Sequence, residues 1–258
     1  MKLFSNNNIA LYNEDCFDVL KIIPEKSIDL VLCDLPYSIT QLEYDKDLFD
    51  LEKMWKYLDK ICKENTAYIF TAQQPFTTRL INSNIKYFKY TMVWEKNLKT
   101  GNLNAKKRPM GGHEDIVVFY KKQPTYNPQK RKRTTEIKSG NKKNSKTSVY
   151  GKQKEDYIDN QSDWINPDTI IKNIKCVHNS SGKIHPNQKP IELMEYLIKT
   201  YSNENDVVLD ITFGSCSTGI ASLNLNRKFI GCEKSEKYYH LGLFELLKCH
   251  PENNKGTV

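Results

Sequence analysis

Apolar runs of strand length alternate with segments of helical periodicity toward both ends of this chain, and that alternation leaves few architectures open. Ile9–Tyr12 and Ile28–Cys33 are short apolar runs, separated by Phe17, Leu20 and Ile23 at helical spacing and closed by Pro24. A helical stretch over Leu51–Cys62, a strand over Ala67–Thr71 and a helix opening near Pro75 come next. Strand-like Tyr87–Glu95 and Asp115–Tyr120 then flank a polar loop, Lys96–Gly112. Further on, Ile191, Met194, Leu197, Ile198 and Tyr201 share one helical face. They lead into a strand at Val207–Asp210, a helix through Ile220–Leu225, a strand at Phe229–Cys232 and a closing helix to about Leu247. The pattern predicts an α/β fold with a mostly parallel central sheet and helices on both faces.

Between these halves the pattern dissolves into Lys, Asn, Ser, Thr and Gln, which reads as an insertion. It divides the chain into a first part (1–120), a basic region (121–182) and a last part (183–258). Residues 121–155 hold twelve Lys or Arg against two Glu, a local charge of +10 in a chain of net +8, so the remainder stands at −2. One segment therefore carries the basic character, as expected of an element lying on a polyanion.

Other classes drop out. The longest apolar runs fall far below the roughly 20 residues that cross a bilayer, so no membrane partner is expected. The segment Met1–Asn8 lacks the apolar stretch of a secretory signal, which points to a cytoplasmic protein. Seven cysteines, at positions 16, 33, 62, 176, 216, 232 and 249, include no Cys-x-x-Cys pair and are joined by five histidines. That argues against a disulfide framework or a structural zinc, and no metal site is expected.

The sharpest chemical signal is Asp34-Leu35-Pro36-Tyr37, immediately after the apolar run Ile28–Cys33. In open sheets of this type, ligands bind beyond the carboxyl ends of the strands. There, a carboxylate, a rigid turn and an aromatic ring suit a planar amine. Asp34 would accept one N–H of an exocyclic amino group, a backbone carbonyl fixed by Pro36 the second, and Tyr37 would stack on the ring. Drawing both N–H groups out of the plane localises the nitrogen lone pair, which is otherwise delocalised into the ring and poorly nucleophilic.

A second signal runs from Val207 to Gly219: a strand, then the small-residue loop Asp210-Ile211-Thr212-Phe213-Gly214-Ser215-Cys216-Ser217-Thr218, then a helix. Small residues admit close backbone approach, and a helix N-terminus favours a carboxylate. Gly214 and Gly219 do not complete a dinucleotide fingerprint, so a nucleotide-like ligand without pyrophosphate fits better. The next strand ends at Glu233, about 20 positions after the loop, where an acid typically binds ribose hydroxyls. A third segment, His185-Pro186-Asn187-Gln188-Lys189-Pro190, opens the helix before Asp210, with Pro190 as a helix-start signal.

Taken together, these segments resemble the S-adenosylmethionine-dependent amino-methyltransferases of DNA. The resemblance is to the circularly permuted beta class, whose catalytic motif precedes the cofactor motif. Tyr68-Ile69-Phe70, Trp94-Glu95-Lys96, the run Gly101 to Lys107 and Phe119-Tyr120-Lys121-Lys122 are similar to bacterial and phage members in the same order. The resemblance implies a Rossmann-like methyltransferase fold with an inserted target-recognition region. It implies that Asp34, Leu35 (through its carbonyl), Pro36 and Tyr37 form the catalytic motif. The cofactor would be held by Asp15 and the Cys16 amide at its adenine, and by Glu233 at its ribose. At its methionine end it would meet Cys33, Asp34, Gln188, Lys189, Asp210, Phe213, Gly214, Ser215, Ser217 and Thr218.

The same resemblance places Lys106, Lys107 and Arg108, with Lys130, Arg131, Lys132 and Arg133 in the basic region, on double-stranded DNA. Leu35, Ile211 and Cys216 depart from the proline, proline and glycine frequent at those places. The implied reaction is in-line methyl transfer to N6 of a flipped-out adenine. Asp at the head of the tetrapeptide favours adenine, whereas enzymes acting on N4 of cytosine more often begin with Ser. A catalytically silent DNA-binding relative and an RNA or protein amino-methyltransferase are the competing classes. A homodimer and a cognate restriction endonuclease are the partners that the resemblance adds.

Overall fold

The computed structural model describes residues 2–37, 48–133, 163–178 and 187–255. His185 and Pro186 lie outside them, as do Tyr150 and Tyr157, two of the aromatics interleaved in the basic region. The chain divides into two compact units, one of Met1–Asn127 with Thr169–Val258 and one of Pro128–Asp168.

The elements, in chain order, begin with β1 (Lys2–Ser5), β2 (Ile9–Asn13), α1 (Cys16–Ile22), β3 (Ile28–Cys33), α2 (Leu51–Ile61) and β4 (Cys62–Ala72). Next come α3 (Phe76–Ser83), β5 (Phe88–Thr100), β6 (Gly111–Phe119), β7 (Arg131–Lys132), β8 (Trp164–Ile165) and β9 (Ile170–Ile171). The last are α4 (Ile191–Tyr201), β10 (Val207–Asp210), α5 (Ser217–Asn224), β11 (Lys228–Cys232) and α6 (Glu236–Cys249).

Among the described residues of the first unit, nine strands make one sheet in the order β1-β2-β11-β10-β3-β4-β6-β5-β9. The run from β2 to β4 is parallel, as the alternation predicts, and β1 closes one edge antiparallel. At the other side β6 and β5 form an antiparallel hairpin against β4, with β9 parallel to β5. Much of the stretch 96–112, expected as a loop, belongs to this hairpin: β5 runs on to Thr100 and β6 begins at Gly111. Backbone pairing such as Thr100 with Gly111 extends the strands where exposed polar side chains hide the period. Gly101, at φ 88°, turns the chain into a short 3-10 segment at Asn102–Asn104, the left-handed backbone that glycine tolerates. In the second unit, β7 and β8 pair antiparallel.

Successive residues of a strand point to opposite faces of the sheet. Leu30 and Leu32 of β3, Val208 of β10 and Ile116 and Val118 of β6 join the core beneath α4, α5 and α6, where Leu197, Ile220 and Tyr239 meet them. Val31 and Cys33, Leu209, and Val117 and Phe119 join the other core, filled by Leu20 of α1, Met54 and Trp55 of α2 and Phe76 of α3. Both faces are thus covered, which is why these strands read as continuous apolar runs. Asp15 caps α1 by accepting from the Phe17 amide, and Asp50 caps α2 by accepting from the Lys53 amide.

Candidate active site

The strands β3 and β10 are parallel neighbours, so the segments that follow them emerge at the same carboxyl end of the sheet. Asp34 is the first residue after β3 and Ile211 the first after β10. The two segments touch: the Thr212 hydroxyl donates to the main-chain carbonyl of Asp34 at 3.1 Å. Beneath them the Ile211 amide meets the Cys33 sulfur at 3.4 Å.

The Asp34 carboxylate is engaged at both oxygens within the protein. The Tyr37 hydroxyl donates to Oδ1 at 2.6 Å and lies 3.2 Å from the Thr71 hydroxyl, which also donates to Oδ1. On the other side, the Lys189 ammonium donates to Oδ2 at 2.7 Å. Lys189 also lies 3.2 Å from Oε2 of Glu114, whose Oε1 accepts from Lys96 at 2.8 Å. Lys189, Glu114 and Lys96 are 8%, 6% and 8% exposed, so this is a buried chain of alternating charges. Burial alone would lower the Lys189 ammonium, but the carboxylates of Asp34 and Glu114 outweigh it and hold the group above its ordinary range. Burial would likewise raise the Glu114 carboxyl, and the ammonium groups of Lys189 and Lys96 bring it below its ordinary value. The Tyr37 ring stacks on Phe76 with centroids 5.2 Å apart. Burial, followed by the charges of Asp34 and Glu114, raises its phenol and keeps it a donor.

The loop after β10 is supported from β11. Glu233 accepts from the Gly214 amide at 3.1 Å and from the Ser235 amide at 2.8 Å, fixing the turn at the end of β11 to the turn at the end of β10. Gly214 (φ 50°) and Cys216 (φ 60°) both adopt left-handed backbone there. The Asp210 carboxyl is buried at the root of the loop and receives the Thr212 amide at 3.1 Å. Burial pushes it up to about 7, against the hydrogen bonds it accepts. Asp15, after β2, pairs with Lys234 at 3.2 Å, and the Asn13 side chain donates to the Glu233 carbonyl at 2.9 Å, so the β2 and β11 ends are tied as well.

Of the residues singled out in the sequence, Asp34, Tyr37, Lys189, Asp210, Gly214 and Glu233 thus gather at the carboxyl ends of the parallel strands. Leu35 is buried in the core of α1–α3, so only its backbone is available to a ligand, and Pro36 is half-buried. Cys33 and Phe213 turn their side chains inward: the Cys33 thiol bonds the Leu209 carbonyl at 3.8 Å, and the Phe213 ring packs 6.1 Å from Tyr239. Burial holds the Cys16 thiol up at about 12 and the Cys33 and Cys216 thiols well above the ordinary range, which disfavours the thiolate form at all three. Ser215, Ser217 and Thr218 line the buried start of α5, and Gln188 is half-buried before α4. Lys106, Lys107 and Arg108 are exposed beside the hairpin turn, and Lys130, Arg131 and Lys132 are exposed in the second unit, with Arg133 half-buried. Among the described residues no cluster of His, Cys, Asp or Glu is arranged to hold a metal ion, and no helix is long and apolar enough to cross a membrane.

Sequence reasoning passed over Thr71, Glu114 and Lys96. Each continues an apolar face: Thr71 follows Ala67 and Ile69, Lys96 follows Met92 and Trp94, and Glu114 precedes Ile116 and Val118. Charged or polar residues at inward positions of strands are the signal that would have found them.

The chain is similar to DNA methylases. The sequence model of the N6/N4 methyltransferase family, described as DNA methylase, matches residues 28–244. The type II methyltransferase M1.MboII of Moraxella bovis is 28% identical, over 92% of this chain and 95% of its own length. The DNA adenine methyltransferase YhdJ of Escherichia coli K12 is also 28% identical, over 94% of this chain and 84% of its own. Among solved structures, the cytosine-N4-specific PvuII DNA methyltransferase superposes with a TM-score of 0.66 at 18% identity, covering 98% of this chain and 95% of that one.

Proposed function

The chain belongs to the N6/N4 DNA methylase family, whose members draw on S-adenosylmethionine, and from that premise we propose that it methylates N6 of adenine at a specific site in duplex DNA. The observation that carries the reading is the contact between Thr212 and Asp34, which joins the tetrapeptide to the loop after β10. The donor set fits the cofactor. Asp15, Glu233 and Asp210 stand at the ends of β2, β11 and β10, an acceptor-rich edge suited to an exocyclic amine, a ribose diol and an ammonium group. When bound, S-adenosylmethionine supplies an electrophilic methyl group.

The protein's own contribution is orientation and electrostatics. Asp34 Oδ1 and the Leu35 carbonyl accept the two N–H groups of the target amine, which frees the nitrogen lone pair. Tyr37, backed by Phe76, stacks on a base that has left the duplex, repaying part of the unstacking cost of a few kcal/mol. The basic residues of 121–182, with Lys106, Lys107 and Arg108, bind phosphates, while Asn, Gln, Arg and Ser in the same region read base edges.

Asp at the head of the tetrapeptide and the adenine-specific name of YhdJ support adenine. N4 of cytosine is the second reading, favoured by the likeness to PvuII methyltransferase. The type II name of M1.MboII supports a restriction–modification setting; a cytoplasmic location, a cognate endonuclease and a homodimer, the last to be tested by light scattering, belong to the same proposal. Sequencing DNA from cells expressing the protein, with detection of modified bases, decides the target. N6-methyladenine in one sequence context is expected. N4-methylcytosine would establish the second reading, and unmodified DNA despite saturable cofactor binding would reject both.

A further inference from the structure

Buried ion pairs seldom add net stability, because desolvation offsets their attraction. Four buried or half-buried charges in a row, Lys96, Glu114, Lys189 and Asp34, therefore call for a role beyond holding the fold. Their order is informative. Lys96 of β5 and Glu114 of β6 sit on paired strands, Glu114 holds Lys189 at 3.2 Å, and Lys189 reaches Asp34 through Oδ2. The other oxygen, Oδ1, is met among the described residues by two neutral hydroxyls, those of Tyr37 and Thr71. The two oxygens of one carboxylate are thereby made unequal: Oδ2 is held by an ammonium that Glu114 in turn holds, and Oδ1 by two neutral hydroxyls that can rotate aside for an incoming N–H donor.

We propose that Glu114 is a positioning residue for methyl transfer: anchored by Lys96, it presses Lys189 against Oδ2 of Asp34, so that the carboxylate presents Oδ1 alone to the target amine. The hydroxyls of Tyr37 and Thr71 occupy the amine's place in the free enzyme and yield it on base entry. The proposal rests on Asp34 being the amine acceptor.

The test compares the full-length Glu114→Gln protein with wild type in steady-state methylation of duplex DNA, alongside calorimetric binding of S-adenosylmethionine and DNA. The expected result is a fall in kcat of roughly 10- to 100-fold, the scale of a misaligned reacting group, with both dissociation constants within about twofold of wild type. An unchanged kcat, or a loss explained by weaker cofactor binding, overturns the proposal. Because Glu114→Gln leaves two buried ammonium groups facing each other, the double variant Lys96→Met/Glu114→Gln, which keeps the charge balance, is measured as well. It is expected to share the kcat defect, and wild-type turnover in it overturns the positioning role. Asp34→Ala, which removes the acceptor, is run in parallel and separates the two readings. Normal turnover there removes Asp34 as the amine acceptor, whereas an inactive Asp34→Ala beside a fully active Glu114→Gln removes Glu114 alone.

Discussion

The hydroxyl of Thr212 lies 3.1 Å from the backbone carbonyl of Asp34, so the loop that follows β10 carries the residue that follows β3. Thr212→Val keeps the shape and removes the bond. A net hydrogen bond of about 1 kcal/mol predicts a fall of roughly fivefold in kcat/KM, read by methyl incorporation into duplex DNA. Unaltered kinetics would mean that the contact does not align the two segments.

Tyr37 is stacked on Phe76 and hydrogen-bonded to Asp34 at once. Tyr37→Ala should weaken capture of the flipped base by roughly 1–3 kcal/mol, while Tyr37→Phe, which keeps the ring, should lose much less. Fluorescence of an adenine analogue at the target position separates the two, and equal losses would deny the ring its stacking role.

The Asp210 carboxyl is pushed up to about 7 by burial, from an ordinary 3.8. Between those values the folded protein binds more protons here than the unfolded chain, so this group lowers stability as pH rises through the window. Glu233, raised by burial, acts with the same sign. Asp210→Asn should therefore flatten the decline of Tm from pH 5 to pH 7.5. A variant whose melting curves shift with pH as steeply as wild type would place the pH dependence elsewhere.

Gly242 of α6 packs directly beneath the loop after β10: a Cβ there would lie 2.6 Å from the Gly214 carbonyl and 2.9 Å from the Phe213 ring. Gly242→Ala must displace backbone, at a cost of about 1–3 kcal/mol, and should weaken cofactor binding together with stability. Calorimetry and thermal melting on the same sample would expose an effect on one without the other.

Reversing Lys130, Arg131 and Lys132 to Glu should lower DNA affinity and reduce the slope of log affinity against log salt by about 0.9 for each phosphate that is no longer neutralised. These three side chains are exposed, so the fold should be unaffected. Binding isotherms at several salt concentrations that run parallel to wild type would remove these residues from the interface.

Where burial wrote itself into the sequence, the structure follows the reading closely. Ile28–Cys33, covered on both faces, is β3 at its predicted bounds, and Ile191 to Tyr201 is α4 with its apolar stripe on the sheet. Edge and exposed pairing left no such trace. The strand β1, held mainly by main-chain pairing with β2, went unseen, as did the outer ends of β5 and β6, whose buried members are the charged Lys96 and Glu114 rather than apolar side chains. Motif chemistry pointed to Asp34 and Glu233, since each directly follows a strand. Lys96 and Glu114 look like ordinary surface charges until the faces of β5 and β6 are assigned. Their burial depends on one another and on Lys189, which arrives from a distant part of the chain.

The interleaving of β3, β10, β11 and β2 has a consequence for any backbone cleavage between 134 and 162. Neither fragment would own a contiguous set of sheet neighbours, since β10 and β11 from the later piece lie between β2 and β3 from the earlier one. Each half expressed alone is left with unpaired strands, and mixing the two should restore folding and catalysis through complementation without a covalent link.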